Sequence, residues 1–582
     1  MYNLKPLRKP VTPRNFATFD IESRNWIVFV VLGLFDGKQY REFRTMRGFI
    51  NFLRDAPLDF PREIFAHYGG KFDFMFVLRE AAKHKDLKIE NFIPRGSSIL
   101  SMDLVFNDKK FTLRDSSALL SFKLKTLTDS FDVPVKKGEW NHTKTKKWSK
   151  ELSAYLKSDV LGLYQVLKKF ESQPIIETSG MATTTASQAL RVFRTHFLER
   201  EIFADTSKNK TESVEEFSRR AYFGGRTEIF RPLTKSPIYE YDVNSLYPYV
   251  MRENLFPVGA GFFTKTYRKN SLGIYRAIAT VPKTEFIPCL GVMLKNKYLF
   301  PVGTFEGYWT SIEIEYAKSL GYDFKILNGV FFMESEKIFS RYINYFYDIR
   351  KRTKSDSVEN ITAKLMMNSL YGRFGLNPKK EGISYDLRAG VIPQYEVKVG
   401  HRTIEIYREE VELSTFSKVA IAAFVTAYAR IYMHQKFYTP YADSLYYTDT
   451  DSIFVTRELP SGINLGEMKL VREYNEGACF LLPKTYVAKS SDYIKQVMKG
   501  FPKDKIKDFS LEDFEQALEG ELKRLKVKIG PKFASFKQAI QKKKFLTMTD
   551  NGEKQLRSQY SKRIILKTKT GEYTTRPITI GE

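Results

Sequence analysis

The stretch "YYTDTDSIF", residues 446–454, sets Asp449 and Asp451 among Tyr446, Tyr447, Ile453 and Phe454. The aromatic and β-branched residues read as two strands, and DTD reads as a tight hairpin with both acids at its tip. Carboxylates are among the residues least often buried unpaired. DTD alone is common in surface turns, but the apolar flanks here argue for a half-buried one. A third acid, Asp242 in "EYDVNSLYPYV" (240–250), ends another apolar strand pattern. No basic residue stands beside the three in sequence. Two bound cations that also hold a triphosphate would let them stay ionised.

The N-terminal part repeats the theme. In "FATFDIES" (16–23) Asp20 and Glu22 are two apart, so on a strand they share a face while Phe19 and Ile21 enter a core. "GGKFDFMFVL" (69–78) places Asp73 at the edge of an apolar strand or helix. "YLKSDVLGL" (155–163) puts Tyr155 and Asp159 four apart, on one helix face. Singly, each acid would read as a solvated surface group. Together with a Tyr hydroxyl they suit two hard divalent cations and cleavage of a phosphodiester.

The chain has 582 residues, beyond the reach of a single core, and a net charge of +27 with 15% aromatic residues. This is a folded, basic composition that suits a polyanionic partner, although charge alone fits any basic protein. Two cysteines, Cys289 and Cys479, exclude a disulfide framework and a zinc knuckle. The six histidines have no metal-ligand spacing and read as ordinary surface or core residues. "WIVFVVLGLF" (26–35) is too short to cross a bilayer, and "MYNLKPLRKP" has no signal core. The expectation is no membrane, no targeting sequence, a cytoplasmic location and a monomer.

Periodicity divides the chain into an α/β series. Residues 1–190 form a first domain, and 191–254 a linker and the start of a second. Residues 255–340 read as an inserted strand-rich module, 341–375 as a helical unit, and 376–415 as a second insert. Residues 416–486 complete the second domain, and 487–582 form a basic tail unit. Within that tail, 521–567 carry 14 Lys/Arg against three acids.

In "ENITAKLMMNSLYGRFG" (359–375), Lys364, Asn368 and Tyr371 form one helical stripe, and Met366, Leu370 and Phe374 the opposite one. A stripe of Lys, Asn and Tyr suits a triphosphate, a sugar and a base pair. An ordinary solvated face would favour Glu/Lys pairs. Arg350 and Arg352 precede the helix as candidates for phosphate contact or as plain surface charge. Lys484 and Tyr486, read as alternating on a strand, would share a face toward phosphate and base or sugar. Tyr222, Gly224 and Gly225 suit either a close backbone approach to a nucleic-acid strand or a glycine turn.

"DVNSLYPYV", "KLMMNSLYGRFG" and "YTDTDS" resemble the three polymerase motifs of family-B DNA polymerases. "FDIES", "KFDF" and "YLKSD" resemble that family's three proofreading-exonuclease motifs, and all six stand in the family's order. "AYFGGR" (221–226), "PKTY" (483–486) and "KKGEW" (136–140) resemble elements of its protein-primed branch, from small phages and linear plasmids. The resemblance covers nearly the whole chain and is weakest over 487–582. It implies a ribonuclease-H-like exonuclease domain and a right-hand polymerase of palm, fingers and thumb with two inserted subdomains. It implies DNA, dNTPs and a terminal-protein primer as partners, with two Mg²⁺ (or Mn²⁺) per site.

By the same resemblance Asp242 and Asp451 are the main metal ligands of the polymerase site, with Asp449 beside them and the Val243 carbonyl as an extra ligand. Tyr247 would lie under the incoming sugar and exclude a 2′-hydroxyl. In the exonuclease site Asp20, Glu22, Asp73 and Asp159 would hold metals. Tyr155 would orient the attacking water, and Lys137 would face the scissile phosphate. "AHYGGKFD" departs from the family, because Tyr68 stands where Asn usually follows His; it either stacks a base or packs in the core. Two other functions stay open: a family-B polymerase that uses no terminal protein, and a non-catalytic nucleic-acid-binding protein on the same fold.

Overall fold

The computed structural model describes the chain apart from residues 1, 9–12, 82, 96–97, 108, 143–144, 146, 378, 385–394, 400–401, 413–415, 501–505, 507–508, 521–522, 528–531, 534–547, 550–551, 557–559 and 582. Side chains of residues 379–384, 395–399 and 402–412, in the second insert, and most of the basic stretch 521–567 lie outside this description.

The first domain is a seven-stranded mixed sheet. Its spatial order is Tyr40–Phe43, Val28–Phe35, Phe16–Arg24, Glu63–Ala66, Lys109–Asp115, Ser98–Phe106, Leu87–Arg95. Phe16–Arg24 pairs antiparallel with Val28–Phe35 and parallel with Glu63–Ala66. One face packs on helices Met46–Asp55 and Asp73–Ala81 through Phe19, Phe49 and Phe74, stacked at 5.9 and 6.1 Å between ring centres. The other face receives helix Lys150–Glu171, whose Leu152, Leu156, Val160 and Leu163 are buried, as their spacing predicts. This is the ribonuclease-H-like arrangement that the resemblance implies.

The second domain centres on a five-stranded antiparallel sheet, ordered Met468–Tyr474, Ile238–Val243, Ser452–Val455, Leu445–Asp449, Thr227–Ile229. It packs against helix Val419–Met433, which is apolar nearly all round and buried accordingly. Helices Ser340–Arg352 and Val358–Phe374 stand together beside it. Met366, Leu370 and Phe374 are fully buried, whereas Lys364 and Asn368 are exposed and Tyr371 half-exposed. The two faces read from sequence are therefore the real ones. Both inserts are strand-rich; the first builds a five-stranded sheet around Gly273–Val281.

Three expected boundaries need correction. Helix Thr185–His196 runs through the division at 190. The hairpin Ala478–Leu482/Thr485–Lys489 continues to a third strand, Ile494–Met498, so the second domain extends past 486. Residues 560–580 return from the tail unit to the body, although Lys567 and Tyr573 also reach Glu519. Tyr560 and Lys562 hydrogen-bond to the main chain of Ile229 and Thr227, and strand Thr579–Ile580 pairs parallel with Val302 and Gly303 in the first insert. This last contact joins residues nearly 280 positions apart in sequence, a distance at which no local pattern is informative.

Candidate active sites

Two acid clusters form, one in each domain. In the second, Asp242 pairs across the sheet with Ser452, and Asp449 pairs with the same Ser452 from the other side. Two strand spacings set the Asp242 and Asp449 Cα atoms roughly 10 Å apart, with side chains on one face. Asp451 lies in the turn between them, and its carbonyl accepts from the Val243 N–H at 2.8 Å. The three acids thus share one sheet end. Burial, the Asp451 carboxylate and Glu240 push Asp242 up to about 7, against the opposing pull of Lys469 and Lys495. Burial and Asp449 likewise raise Asp451.

The turn is held from outside. Thr450 has φ +69° and donates its N–H to the Arg226 carbonyl at 2.8 Å. A Cβ on Gly225 would meet Thr450 at 2.6 Å (Cγ2) and 3.0 Å (Cα). Gly225 is therefore small to admit the DTD turn. A Cβ on Gly224 meets nothing, so that residue faces open space. Tyr222 packs its ring over Gly375 at the end of helix Val358–Phe374. Arg430 donates to the Phe223 and Gly224 carbonyls at 2.8 and 3.0 Å, and pairs with buried Glu313 at 2.7 Å. Gly225→Ala should displace the turn and cost about 1–3 kcal/mol through overpacking against Thr450, measurable by thermal unfolding.

Lys484 does not share a strand face with Tyr486. It occupies the hairpin turn with φ +59°, and its Nζ reaches both oxygens of Asp449 at 2.7 and 3.0 Å. Tyr486 is 7% exposed and packs among Tyr447, Phe454 and Phe480, so it belongs to the core rather than to a base-facing surface. The register slips because the left-handed residue is a Lys and not the Gly or Asn that marks such a position, so that Pro483 before it is the local turn signal. The Tyr247 and Tyr371 rings lie together, tilted 36° at 4.6 Å between ring centres. Arg350 approaches Ser245 Oγ at 3.2 Å, just before Tyr247, whereas Arg352 is exposed. Thr227, absent from the sequence reading, donates to Asp449 at 3.1 Å.

In the first domain Asp20, Glu22, Asp73 and Asp159 converge on a cleft. Glu22, Asp73 and Asp159 are 3–4% exposed. Burial, with repulsion from Asp73, Asp159 and Glu22, holds Asp20 well above the carboxylate range. Burial raises Asp73 too, although its Oδ1 accepts the Ile21 N–H at 2.9 Å. Lys137 Nζ donates to Asp159 Oδ2 and, at 2.8 Å, to the Tyr155 hydroxyl. Asp159 Oδ1 is buried with no partner. Tyr68, half-buried with φ +59°, lines the cleft beside Lys137 and Tyr155, which places it at the site and not in the core. Two histidines read as ordinary also belong here. His142 Nδ1 is 3.3 Å from Glu22, and His67, lowered to about 4 by burial, bonds Ser116 and the Phe122 carbonyl.

Both clusters offer oxygen donors, the set that hard divalent cations take. Among the described residues no three acid, His or Cys side chains are already gathered at metal-holding distance. Lys484 and Lys137 each hold one acid of their cluster. The raised carboxyls and the unpartnered Asp159 oxygen are what such a cation would satisfy.

The family model described as DNA polymerase type B, organellar and viral, matches residues 61–152 and 139–442, and the chain belongs to that family. A probable DNA polymerase of Neurospora intermedia is 32% identical over 396 residues, 62% of this chain and 40% of that protein. The DNA-directed DNA polymerase of Enterobacteria phage PRD1 is 28% identical over 454 residues, 73% of each. The chain spans less than half the length of the Neurospora and Ascobolus relatives it matches. Phi29 DNA polymerase superposes with a TM-score of 0.74 over 94% of this chain and all of that one, at 19% identity, which establishes a shared fold. Among the described residues no helix is long and apolar enough to cross a membrane.

Proposed function

We propose that this chain is a DNA-templated DNA polymerase with a separate 3′→5′ proofreading site. The observation that carries the reading is the gathering of Asp242, Asp449 and Asp451 at one sheet end, beside a helix presenting Lys364, Asn368 and Tyr371. Two divalent ions, Mg²⁺ or Mn²⁺, would lower the pKa of the primer hydroxyl and stabilise the departing pyrophosphate. Asp242 and Asp451 would hold them, with Asp449 released from Lys484. Lys364 neutralises the triphosphate. The Tyr247–Tyr371 pair floors the sugar pocket and leaves no room for a 2′-hydroxyl. In the other cleft Tyr155 orients the attacking water, Lys137 screens the scissile phosphate, and Tyr68 stacks a base of the frayed 3′ end.

The same reading extends to initiation on the hydroxyl of a terminal protein and to strand displacement. It is supported by the two inserts and by the phage relatives. Phi29 polymerase is known bound to single-stranded DNA, and to primer-template with incoming nucleotides; we assign those ligands here. Primer extension with Mg²⁺ on gapped and nicked templates, with and without one dNTP, tests synthesis, trimming and displacement together. Metal- and dATP-dependent labelling of a small basic protein tests priming. Lack of any labelled adduct would leave a polymerase that extends ordinary primers.

The charge state of Asp242 gives a stability test. Its folded pKa, about 7 against an ordinary 3.8, means that ionised Asp242 opposes folding. The penalty grows as pH rises from the ordinary value to about 7 and is constant above. Asp242→Asn, in EDTA, should raise stability by about 1–2 kcal/mol at pH 8 after allowance for solvent screening, and by little near pH 4. Thermal unfolding at the two pH values reads the difference.

A further inference from the structure

A cavity of about 620 Å³ lies away from both acid clusters, sharing no lining residue with the exonuclease cleft. It is bounded by strands Glu63–Ala66 and Lys109–Asp115, helix Thr185–His196 and the last turn of helix Val358–Phe374. Its walls carry Arg14, Arg114, Arg191, Arg194 and Arg373. The carboxylates present are Glu63 and Glu171. Glu63 is already shared by Arg14 and Arg114, at 2.9 and 3.0 Å, and Glu171 is taken by Lys168 at 3.0 Å. Arg191 and Arg194 reach no carboxylate among the described residues. They donate to the Met181 and Lys5 carbonyls at 3.1 and 2.8 Å. Arg114 Nε is buried without a partner.

A guanidinium stays charged at any physiological pH, so these groups cannot relieve their repulsion by losing protons. Desolvation and the neighbouring guanidiniums depress Arg191, Arg194 and Arg373 below the usual arginine value. What relieves such a cluster is an anion with several acceptor oxygens, because the planar fork matches phosphate two bonds at a time. The volume admits a nucleotide-sized ligand. Thr183 and Ser187 add hydroxyls to the wall.

We propose that this arginine-lined cavity binds a run of adjacent phosphates, either the oligophosphate tail of a nucleotide or successive phosphates of a nucleic-acid strand. Occupancy ties the first domain to helix Val358–Phe374 through Arg373, two residues from Tyr371. The proposal does not rest on the polymerase reading.

Titration calorimetry of the full chain with inorganic triphosphate, in EDTA to disable the metal-dependent site, tests it. The expected result is a single saturable site, weakened about tenfold or more in Arg191→Gln and in Arg194→Gln and unchanged in Arg472→Gln, an exposed arginine outside the cavity. Arg191→Lys, which keeps the charge, should recover part of the affinity, and thermal unfolding checks that each variant is folded. Displacement of the triphosphate by dATP assigns the nucleotide source, and displacement by an oligonucleotide without terminal phosphates assigns the strand. No binding by the wild type, undiminished binding by the folded Arg191 and Arg194 variants, or equal weakening in Arg472→Gln overturns the proposal.

Discussion

Asp451→Asn abolishes dNTP incorporation, on the order of 10³-fold or more, and leaves 3′ trimming intact. The amide is isosteric, so the turn should survive: its N–H to the Asp449 carbonyl and its carbonyl to Val243 are main-chain bonds. What is lost is a full negative charge at the shared sheet end. A metal at such a site supplies several kcal/mol of transition-state stabilisation, which corresponds to roughly 10³-fold. Primer extension and degradation of a labelled 3′ end, run on the same preparation, read both activities. Parallel loss of both would mean that the two clusters do not act separately.

Asp20→Ala with Glu22→Ala should do the reverse, removing 3′ trimming roughly 10³-fold and sparing incorporation. The two residues flank Ile21, whose N–H is held by Asp73, so the substitution empties one face of the strand while its apolar face stays in the core. Both acids crowd the cleft with like charge, so their removal should not lower stability. A mismatched primer terminus should then be extended or stalled upon without being trimmed. Loss of incorporation in this variant would count against two independent centres.

The clustered acids were legible because each lies in a short pattern whose period says where the side chain points. Asp20 and Glu22 follow strand alternation, and Tyr155 and Asp159 follow the helix. Asp449 and Asp451 are marked by a polar turn between apolar strands. Lys364, Asn368 and Tyr371 were legible for the same reason. What stayed hidden depends on backbone handedness or on distant partners. A left-handed Lys484 turned an apparent strand pair into a turn residue and a core residue. The close neighbour of Gly225, Thr450, is 225 positions away in sequence. His142 reaches Glu22 from a loop with no ligand spacing, and its place five residues after Lys137 was the one available hint. The Arg430–Glu313 tie needs a buried pair between the first insert and a core helix, which no local window contains.

The return of residues 560–580 to the body makes the five-stranded sheet and the first insert share one segment. The Tyr560 hydroxyl bonds the Ile229 main chain in that sheet, and Thr579–Ile580 pairs with Val302 and Gly303 in the insert. A tilt of the insert against the sheet would have to stretch or break this clasp, so the two should move as one body.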